Sequence, residues 1–285
     1  MSKNDPEKSA ELIYRGMTRA QLDAAYNNIA AGADRPGRSE RWLRESARIR
    51  QMPSARLDVP YADKERTKLD YLPSGRPKAP LFVFIHGGYW QRNHKDMFVF
   101  IADGLHPHGI DVALVGYTLG PQASLTEIVA EIVRSIDFLA TSTMGYDANR
   151  MFVGGWSAGG HLAALMCLHP SIKSGIAISG IFDLEPISLC HLNENLQLTE
   201  REIATLSPIR LNEKLAAPLD LFLGAAELAA FRWQSTSFAQ EAGSRGHQVT
   251  MMKELPGHTH FTILDELSDP NGEIALHIKN RVFQS

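Results

Sequence analysis

The stretch Met151-Phe-Val-Gly-Gly-Trp-Ser157-Ala-Gly-Gly-His161 decides the fold class of this chain. It begins as an apolar run typical of a buried strand, and the helix-prone residues Leu-Ala-Ala-Leu-Met follow it directly. Between the two lies the pattern Gly-x-Ser-x-Gly, whose small residues let the backbone turn sharply and present a serine hydroxyl at the start of a helix. We therefore expect Ser157 to be a reactive, solvent-facing hydroxyl on a strand–turn–helix unit.

Apolar runs and helical periodicity alternate on both sides of this unit. The sequence predicts strands at 81–85, 112–115, 151–153, 175–178, 219–223 and 248–252. It predicts helices near 96–108, 124–140, after 157, 231–243 and 274–282. Short apolar strands separated by helices are typical of a mostly parallel sheet covered on both faces. The predicted fold class is α/β, with a doubly wound sheet.

A first helix is predicted at the N-terminus. Thr18-Arg-Ala-Gln21 matches a capping box, in which the two side chains satisfy free backbone donors. Leu22, Ala25, Tyr26 and Ile29 follow at the spacing of one helical face, which predicts an amphipathic helix with one buried stripe.

A second helix is predicted from a cap at Ser39 through Arg50, with Trp42, Leu43 and Ile49 as its apolar residues. It is rich in arginine. We interpret these arginines as a solvated helix face, with some pairs to Glu40 and Glu45 within the helix.

The chain divides into an extension and a main domain. Residues 1–55 form the predicted helical extension, and 56–285 form one catalytic α/β domain that opens with a hairpin at 56–61 and 67–72. Between about 182 and 208 the strand–helix alternation lapses. We interpret this segment as a lid insertion, or pocket wall, over the carboxyl ends of the strands.

Composition excludes several classes of protein. The 285 residues carry 29 Lys plus Arg against 32 Asp plus Glu, so no basic field exists to attract nucleic acid or anionic lipid. The sequence has no apolar run of membrane-spanning length and no secretory signal pattern, which predicts no membrane partner and a cytoplasmic protein. Cys167 and Cys190 show no zinc-ligand spacing and are interpreted as reduced, partly buried thiols.

A second motif follows the predicted strand at 81–85. There, His86-Gly87-Gly88-Tyr89-Trp90 forms a glycine-rich turn whose backbone N–H groups can converge on a developing oxyanion. The N–H of Ala158, directly after the serine, would supplement them. His86 is interpreted as a structural histidine that holds this turn.

These two motifs resemble those of the α/β-hydrolase superfamily, over residues from about 57 to the end. Within it, His-Gly-Gly-Tyr-Trp together with Gly-Trp-Ser-Ala-Gly-Gly is similar to the kynurenine formamidase (arylformamidase) group and to neighbouring hormone-sensitive-lipase-type esterases. Esterases of that type more often have a third glycine where this chain has Tyr89. The resemblance implies a serine hydrolase that needs no cofactor, with Gly88, Tyr89 and Ala158 as oxyanion donors.

The resemblance also implies a triad in the chain order serine, acid, histidine. His260 is favoured as the base over His258, because it directly precedes Phe261 and the start of a helix. Glu227 is the one carboxylate in the turn after the strand 219–223, and Asp183 is the alternative acid. His258 and His260 lack a third ligand at a telling spacing, so no metal is expected.

The implied substrate is a small-molecule amide or ester with a small acyl group, above all an aryl formamide such as N-formylkynurenine. The alternatives are a carboxylesterase for small acyl esters and a non-catalytic ligand-binding homologue. Substrate contacts are expected at Gly87, Trp90 and Trp156, and further candidate aromatic walls are Tyr89, Tyr117, Phe182 and Phe261. A homodimer is compatible with the resemblance, although no residue indicates an interface.

Overall fold

A twisted β-sheet with helices on both faces organises the chain. The computed structural model describes residues 11–31 and 37–284. Its strands are β1 Leu12–Tyr14, β2 Met17–Thr18, β3 Arg56–Pro60, β4 Lys68–Leu72, β5 Leu81–Ile85, β6 Asp111–Val115, β7 Met151–Trp156, β8 Ile172–Ile178, β9 Leu219–Gly224 and β10 Val249–Leu255.

Within the described residues, eight of these strands form the main sheet in the order β10-β9-β8-β7-β5-β6-β4-β3. The strands from β5 to β10 pair in parallel, whereas β3 and β4 form an antiparallel hairpin that extends the sheet beside β6. The short strands β1 and β2 pair with each other. The predicted α/β fold with a mostly parallel sheet is confirmed.

Helices connect the strands. They are α1 Arg19–Ala25, α2 Arg38–Arg50, α3 Ala102–Leu105, α4 Leu125–Thr141, α5 Ala158–Met166, α6 Glu185–Ser188, α7 Asn193–Leu196, α8 Glu200–Leu206, α9 Ala229–Arg245, α10 Asp265–Ser268 and α11 Glu273–Gln284. Short 3₁₀ turns cover Lys95–Ile101, His106–His108, Pro208–Arg210 and Thr262–Leu264. The region 96–108 is helical as predicted, but it is not one continuous helix, because it divides into 3₁₀ and α segments. Pro107 lacks the N–H that α3 would need to continue.

Two hydrophobic clusters cover the two faces of the sheet. Alternate residues of β5 enter different clusters: Val83 packs on the side of α4 and α5, and Phe84 on the side of α2 and α11. This is the period of two that a strand imposes on its side chains. Because all five residues of β5 are buried, this strand lies at the centre of both layers.

The first predicted helix forms, but it is shorter than its apolar pattern suggested. Thr18 and Gln21 make both hydrogen bonds of the capping box, and Leu22 is buried. The helix ends at Ala25 with Tyr26 as its C-cap. Ile29 therefore lies beyond the helix and is 63% exposed, so its assignment to the buried stripe is wrong.

The second predicted helix begins at Arg38 and not after a Ser39 cap. Gly37 takes the N-cap position with φ +80°, a left-handed conformation that glycine adopts without steric cost. Trp42 and Ile49 are buried as predicted, whereas Leu43 is 48% exposed.

The arginines of α2 are more than a solvated face. Arg41 is 4.0 Å from Glu45 in the predicted manner, but it also pairs with Asp265 of α10. Arg50 pairs with the buried Asp70 of β4 and lies 2.6 Å from Asp96. The prediction failed here because the carboxylates that meet Arg50 are distant in sequence. These pairs attach α2 to α10 and to β4 of the sheet.

Cys167 and Cys190 are both free and buried. Within the described ranges, no helix combines the length and the apolar character that crossing a membrane requires.

His161 lies on α5, directly behind Ser157, and is fully buried. One ring nitrogen, Nε2, is 2.7 Å from the carbonyl oxygen of Leu206, and the ring packs edge-on against Trp90. Burial lowers the pKa of His161 from 6.5 to about 4, because the charged ring would lose its hydration. The folded protein thus holds this histidine neutral.

We expect acid to destabilise the fold through His161. Between pH 6.5 and 4 the unfolded chain binds a proton that the folded chain does not, so stability falls as the pH is lowered through this range. His161→Gln keeps a donor for Leu206 without a titrating ring. It should flatten the pH dependence of the unfolding free energy by about 1.4 kcal/mol per pH unit. Urea titrations at pH 7.5, 6 and 5 measure this slope, and an unchanged slope contradicts the assignment.

Candidate active site

The turn between β7 and α5 holds Ser157 in a strained backbone conformation. Its φ is +60° and its ψ −120°, a region that side-chain-bearing residues enter only when their surroundings require it. Two neighbours enforce it: the N–H of Ser157 donates to Ile178 of β8 at 2.8 Å, and Gly159 lies against β5. A Cβ at Gly159 would be 2.0 Å from the carbonyl oxygen of Ile85, so only glycine fits.

The predicted acid and base are in direct contact. Nδ1 of His260 lies 3.0 Å from Oε2 of Glu227, and both side chains are buried. Glu227 stands in the turn after β9, and His260 in the loop after β10. Because the carboxyl ends of parallel strands meet at one edge of the sheet, these two residues and Ser157 converge at the same edge.

The other oxygen of Glu227 is also fully engaged. Oε1 accepts hydrogen bonds from the Ser179 hydroxyl at 2.5 Å and from the Gly224 N–H at 2.7 Å. Ser179 follows β8 and has φ +51°. Sequence reasoning missed this residue, because a lone serine after a strand has no distinguishing pattern. With both oxygens bound, the carboxylate is held in one orientation toward His260.

Aromatic rings enclose His260. The ring centroids of Phe231 and Trp156 lie 4.4 Å and 4.9 Å from it. The indole N–H of Trp156 donates to the carbonyl oxygen of His260 at 2.7 Å. Backbone and ring are thus both fixed. Ser157 and His260 line the same cavity.

The alternative base and acid face other partners. His258 has one ring nitrogen 3.1 Å from Glu266 and the other 3.1 Å from the carbonyl oxygen of Thr262. Asp183 pairs with Arg210 at 3.0 Å. Neither lines the cavity that contains Ser157.

The glycine-rich turn after β5 has positive φ at three consecutive residues, a conformation that is costly for Tyr89 and Trp90 and permitted for glycine. Gly88, Tyr89 and Trp90 have φ of +121°, +52° and +57°. A Cβ at Gly88 would meet the carbonyl oxygen of Arg92 at 2.4 Å. The Asn93 side chain donates to Gly87 at 3.1 Å and braces the turn.

This turn leaves backbone donors unused. Within the part of the chain that the structure describes, no group accepts a hydrogen bond from the N–H of Gly88, Tyr89 or Ala158. Gly88 and Tyr89 line the cavity beside Ser157. Because Gly88 and Tyr89 are half-buried and face the cavity, these free donors are suited to an oxygen supplied by a ligand.

His86 lies behind the turn as a buried, neutral ring. It is stacked between Tyr117 and Phe98, with centroid distances of 4.4 Å and 5.8 Å. Burial lowers the pKa of His86 to about 3. Its Nδ1 lies 2.8 Å from the carbonyl oxygen of Gly87. These contacts suit a residue that supports the turn.

The cavity at Ser157 has a volume of about 440 Å³, within the usual range for small-molecule sites. Its walls come from the extension, the turn after β5, and the loops after β7, β8 and β10. They are Tyr26, Asn27, Asn28, Ile29, Ala30, Ser39, Trp42, Gly88, Tyr89, Arg92, Asn93, Met97, Trp156, Ser157, His191, Leu192, His260 and Phe261.

Only part of the expected substrate wall is in place. Tyr89, Trp156 and Phe261 line the cavity, whereas Gly87 and Trp90 do not. Trp90 is fully buried against His161. The other two candidates also face away: Tyr117 stacks on His86, and Phe182 stacks on Phe238.

The N-terminal extension supplies walls that sequence reasoning missed. Trp42 of α2 meets Trp156 edge-on at 6.0 Å, and Tyr26 packs against Phe231. The hydroxyl of Tyr89 donates to the carbonyl oxygen of Tyr26 at 2.6 Å. The extension is therefore bound to the turn that carries the unused donors.

The family model BD-FAE matches residues 69–185. A kynurenine formamidase from Danio rerio is 34% identical over 79% of this chain and 80% of its own length. A kynurenine formamidase from Salmo salar is 31% identical over 78% of this chain and 80% of its own length. A crystal structure from Silicibacter sp., provisionally described as a thioesterase, superposes with a TM-score of 0.79. The two sequences are 28% identical, and the superposition covers 90% of this chain and 98% of the Silicibacter chain.

The hydroxyl of Tyr89 should hold the extension in place. Tyr89→Phe leaves the carbonyl of Tyr26 unpaired, which should cost about 1–3 kcal/mol of unfolding free energy. Amide hydrogen exchange should accelerate over residues 26–50.

Tyr61→Phe is the matched control, because Tyr61 donates to the carbonyl of Gly116 at 2.5 Å. Tyr61 does not line the cavity. It should lower stability by a similar amount without changing exchange over residues 26–50. Equal exchange in both variants would show that Tyr89 does not retain the extension.

Proposed function

Because this chain belongs to the kynurenine formamidase family and is a hydrolase of the α/β-hydrolase type, we propose that it cleaves the formyl amide of an arylamine such as N-formylkynurenine. The observation that carries the proposal is the buried contact of His260 with Glu227 at 3.0 Å, in a cavity wall shared with Ser157. A base oriented by a carboxylate beside a serine is the arrangement that activates a hydroxyl nucleophile.

In the first step, the Ser157 hydroxyl attacks the formyl carbon. Nε2 of His260 takes the serine proton, while its Nδ1–H donates to Glu227. Glu227 stabilises the imidazolium that forms. Its other hydrogen bonds, from Ser179 and Gly224, hold the carboxylate in one orientation toward His260.

The carbonyl oxygen gains negative charge as the tetrahedral intermediate forms. The unused N–H groups of Gly88, Tyr89 and Ala158 would stabilise this oxyanion. Donors held in place before the reaction lower the barrier because they need no reorganisation, and one such donor contributes about 3–4 kcal/mol.

Collapse of the intermediate breaks the carbon–nitrogen bond. His260 gives its proton to the leaving arylamine, and the formyl group remains as an ester on Ser157. A water molecule, deprotonated by His260, then attacks the ester. Formate leaves and the serine hydroxyl is restored. The chemistry uses water and these protein groups.

The aromatic walls support an aryl leaving group. Tyr89, Trp156, Trp42 and Phe261 all line the cavity that contains Ser157. Flat rings provide a large apolar contact area for another ring. We assign the extension, predicted as residues 1–55, to this wall through its described residues 26–30, Ser39 and Trp42. The insertion at about 182–208 adds His191 and Leu192 beside it, where the N–H of His191 donates to Asp23.

Ser157→Ala should abolish hydrolysis without unfolding the protein. We expect kcat to fall by about 10⁴-fold or more, because the nucleophile is lost. The test compares kcat/KM for N-formylkynurenine and p-nitrophenyl acetate in wild type and variant, with circular dichroism as the folding control. Dominant turnover of the formamide supports the proposal. Turnover of the ester alone would replace it with a carboxylesterase, and unchanged turnover by the variant would exclude Ser157 as the nucleophile.

The acid can be tested against its alternative. Glu227→Gln keeps the shape of the side chain but removes the charge that orients and stabilises His260. We expect a loss of about 10⁴-fold in kcat with little change in KM. Asp183→Asn should cost stability through Arg210 and retain kcat within a few-fold. Steady-state kinetics of both variants decide the assignment, and the reverse result would assign the acid to Asp183.

A further inference from the structure

The permanently charged residues that line the cavity are of one sign, positive. Among its described lining residues, none is aspartate or glutamate, and Arg92 is the one arginine or lysine. Arg92 is exposed at the rim. An exposed cation above apolar walls favours a ligand that has an apolar body and an anionic end.

Arg92 has a fixed backbone and a free side chain. Its N–H donates to the carbonyl oxygen of Gly88 at 3.0 Å, so its position is tied to the turn with the unused donors. Within the described ranges, its guanidinium makes no ion pair or hydrogen bond. Nearby Arg66 differs, because its guanidinium donates to the backbone of Tyr117 and Asn93 at 2.9 Å and 2.7 Å.

A second group in the same cavity lacks partners. Asn28 lines the cavity and is only 5% exposed. Both polar atoms of its side-chain amide, Oδ1 and Nδ2, are buried without a hydrogen-bond partner among the described residues. A buried amide without partners costs about 1–3 kcal/mol. Such a group indicates a ligand that supplies both a donor and an acceptor.

We propose that Arg92 and Asn28 form a subsite for an α-amino-acid head group on the substrate. The guanidinium pairs with the carboxylate, which it fits in a bidentate manner. Oδ1 of Asn28 accepts a hydrogen bond from the ammonium, and Nδ2 of Asn28 donates to an oxygen of the same head group. A single arginine suits a monoanion. A phosphate dianion would call for additional cations.

This subsite rests on the proposed function for the orientation of the substrate. With the formyl group at Ser157 and the aryl ring among Tyr89 and Trp156, the head group extends toward the rim. The enzyme would then select formyl arylamines that carry an amino acid over neutral ones of equal reactivity.

The test uses two substrates that differ only in the head group: N-formylkynurenine and ortho-formamidoacetophenone, which has the same formamide and ketone. The measured quantity is the ratio of their kcat/KM values. Arg92→Gln should lower this ratio about 10- to 100-fold, chiefly through the KM for N-formylkynurenine, because a charge-assisted hydrogen bond is lost. Arg92→Lys should retain part of the preference, and Asn28→Ala should lower the ratio by a smaller factor.

Arg44→Gln is the matched control, because Arg44 is exposed on neighbouring α2 and does not line the cavity. Its ratio should equal that of the wild type. If Arg92→Gln and Asn28→Ala also leave the ratio unchanged, or lower both kcat/KM values equally, the subsite is refuted. Binding of kynurenine to Ser157→Ala protein by calorimetry, with and without Arg92→Gln, gives a readout that does not depend on turnover.

An ester pair separates the subsite from the formamidase proposal. O-acetyltyrosine and p-cresyl acetate are aryl esters with and without the head group. If neither formamide reacts but the ester ratio depends on Arg92, the proposed function fails and the subsite stands. If the formamides react and neither ratio depends on Arg92, the proposed function stands and the subsite fails.

Discussion

The backbone conformation of Ser157 is the constraint on which the rest of the structure depends. At φ +60° the turn is costly, and it persists because neighbours on both sides hold it. β8 accepts its N–H, β5 packs against Gly159, and the carbonyl of Ser157 accepts the first hydrogen bond of α5 from His161. Buried parallel strands are rigid enough to supply such support. The packing and hydrogen bonds of the sheet thus offset the conformational cost of the strained serine.

Much of the fold could be predicted, because its signals are local. The apolar run of β5 and the capping box at Thr18 each specify their own backbone. Predictions failed where contacts with residues distant in sequence determine the end of a helix or the partner of a side chain. Ile29 matched a helical spacing, but the helix ends at Ala25 because Tyr26 leaves it to pack against Phe231. Arg50 was predicted on a solvated face, and it is instead paired with carboxylates contributed by β4 and the turn before α3.

The candidate site likewise combines residues that have a local sequence signal with residues that are positioned only by distant contacts. Ser157 and the glycine-rich turn have short motifs, and the order of the strands restricts where an acid and a base can stand. Ser179, Asn28 and Trp42 have no motif. Two of them act on partners that only the folded chain brings near: Ser179 donates to Glu227, 48 positions away, and Trp42 packs against Trp156 on one face of the sheet. Such contacts follow from packing, which a single sequence does not reveal.

The hydrogen bond from Tyr89 to Tyr26 links the glycine-rich turn, which a motif predicted, to the wall formed by the extension, which no motif predicted. The backbone N–H of Tyr89 is one of the unused donors beside Ser157, while its side chain holds the extension that walls the cavity. One residue therefore connects the group that would stabilise charge with the segment that would select the substrate. The extension is also anchored to the main domain, because Trp42 and Ile49 are buried and Arg50 pairs with Asp70 of β4. Specificity can change through the residues of the extension that line the cavity, 26–30, Ser39 and Trp42, while the reacting groups stay on the turns and loops that follow the strands.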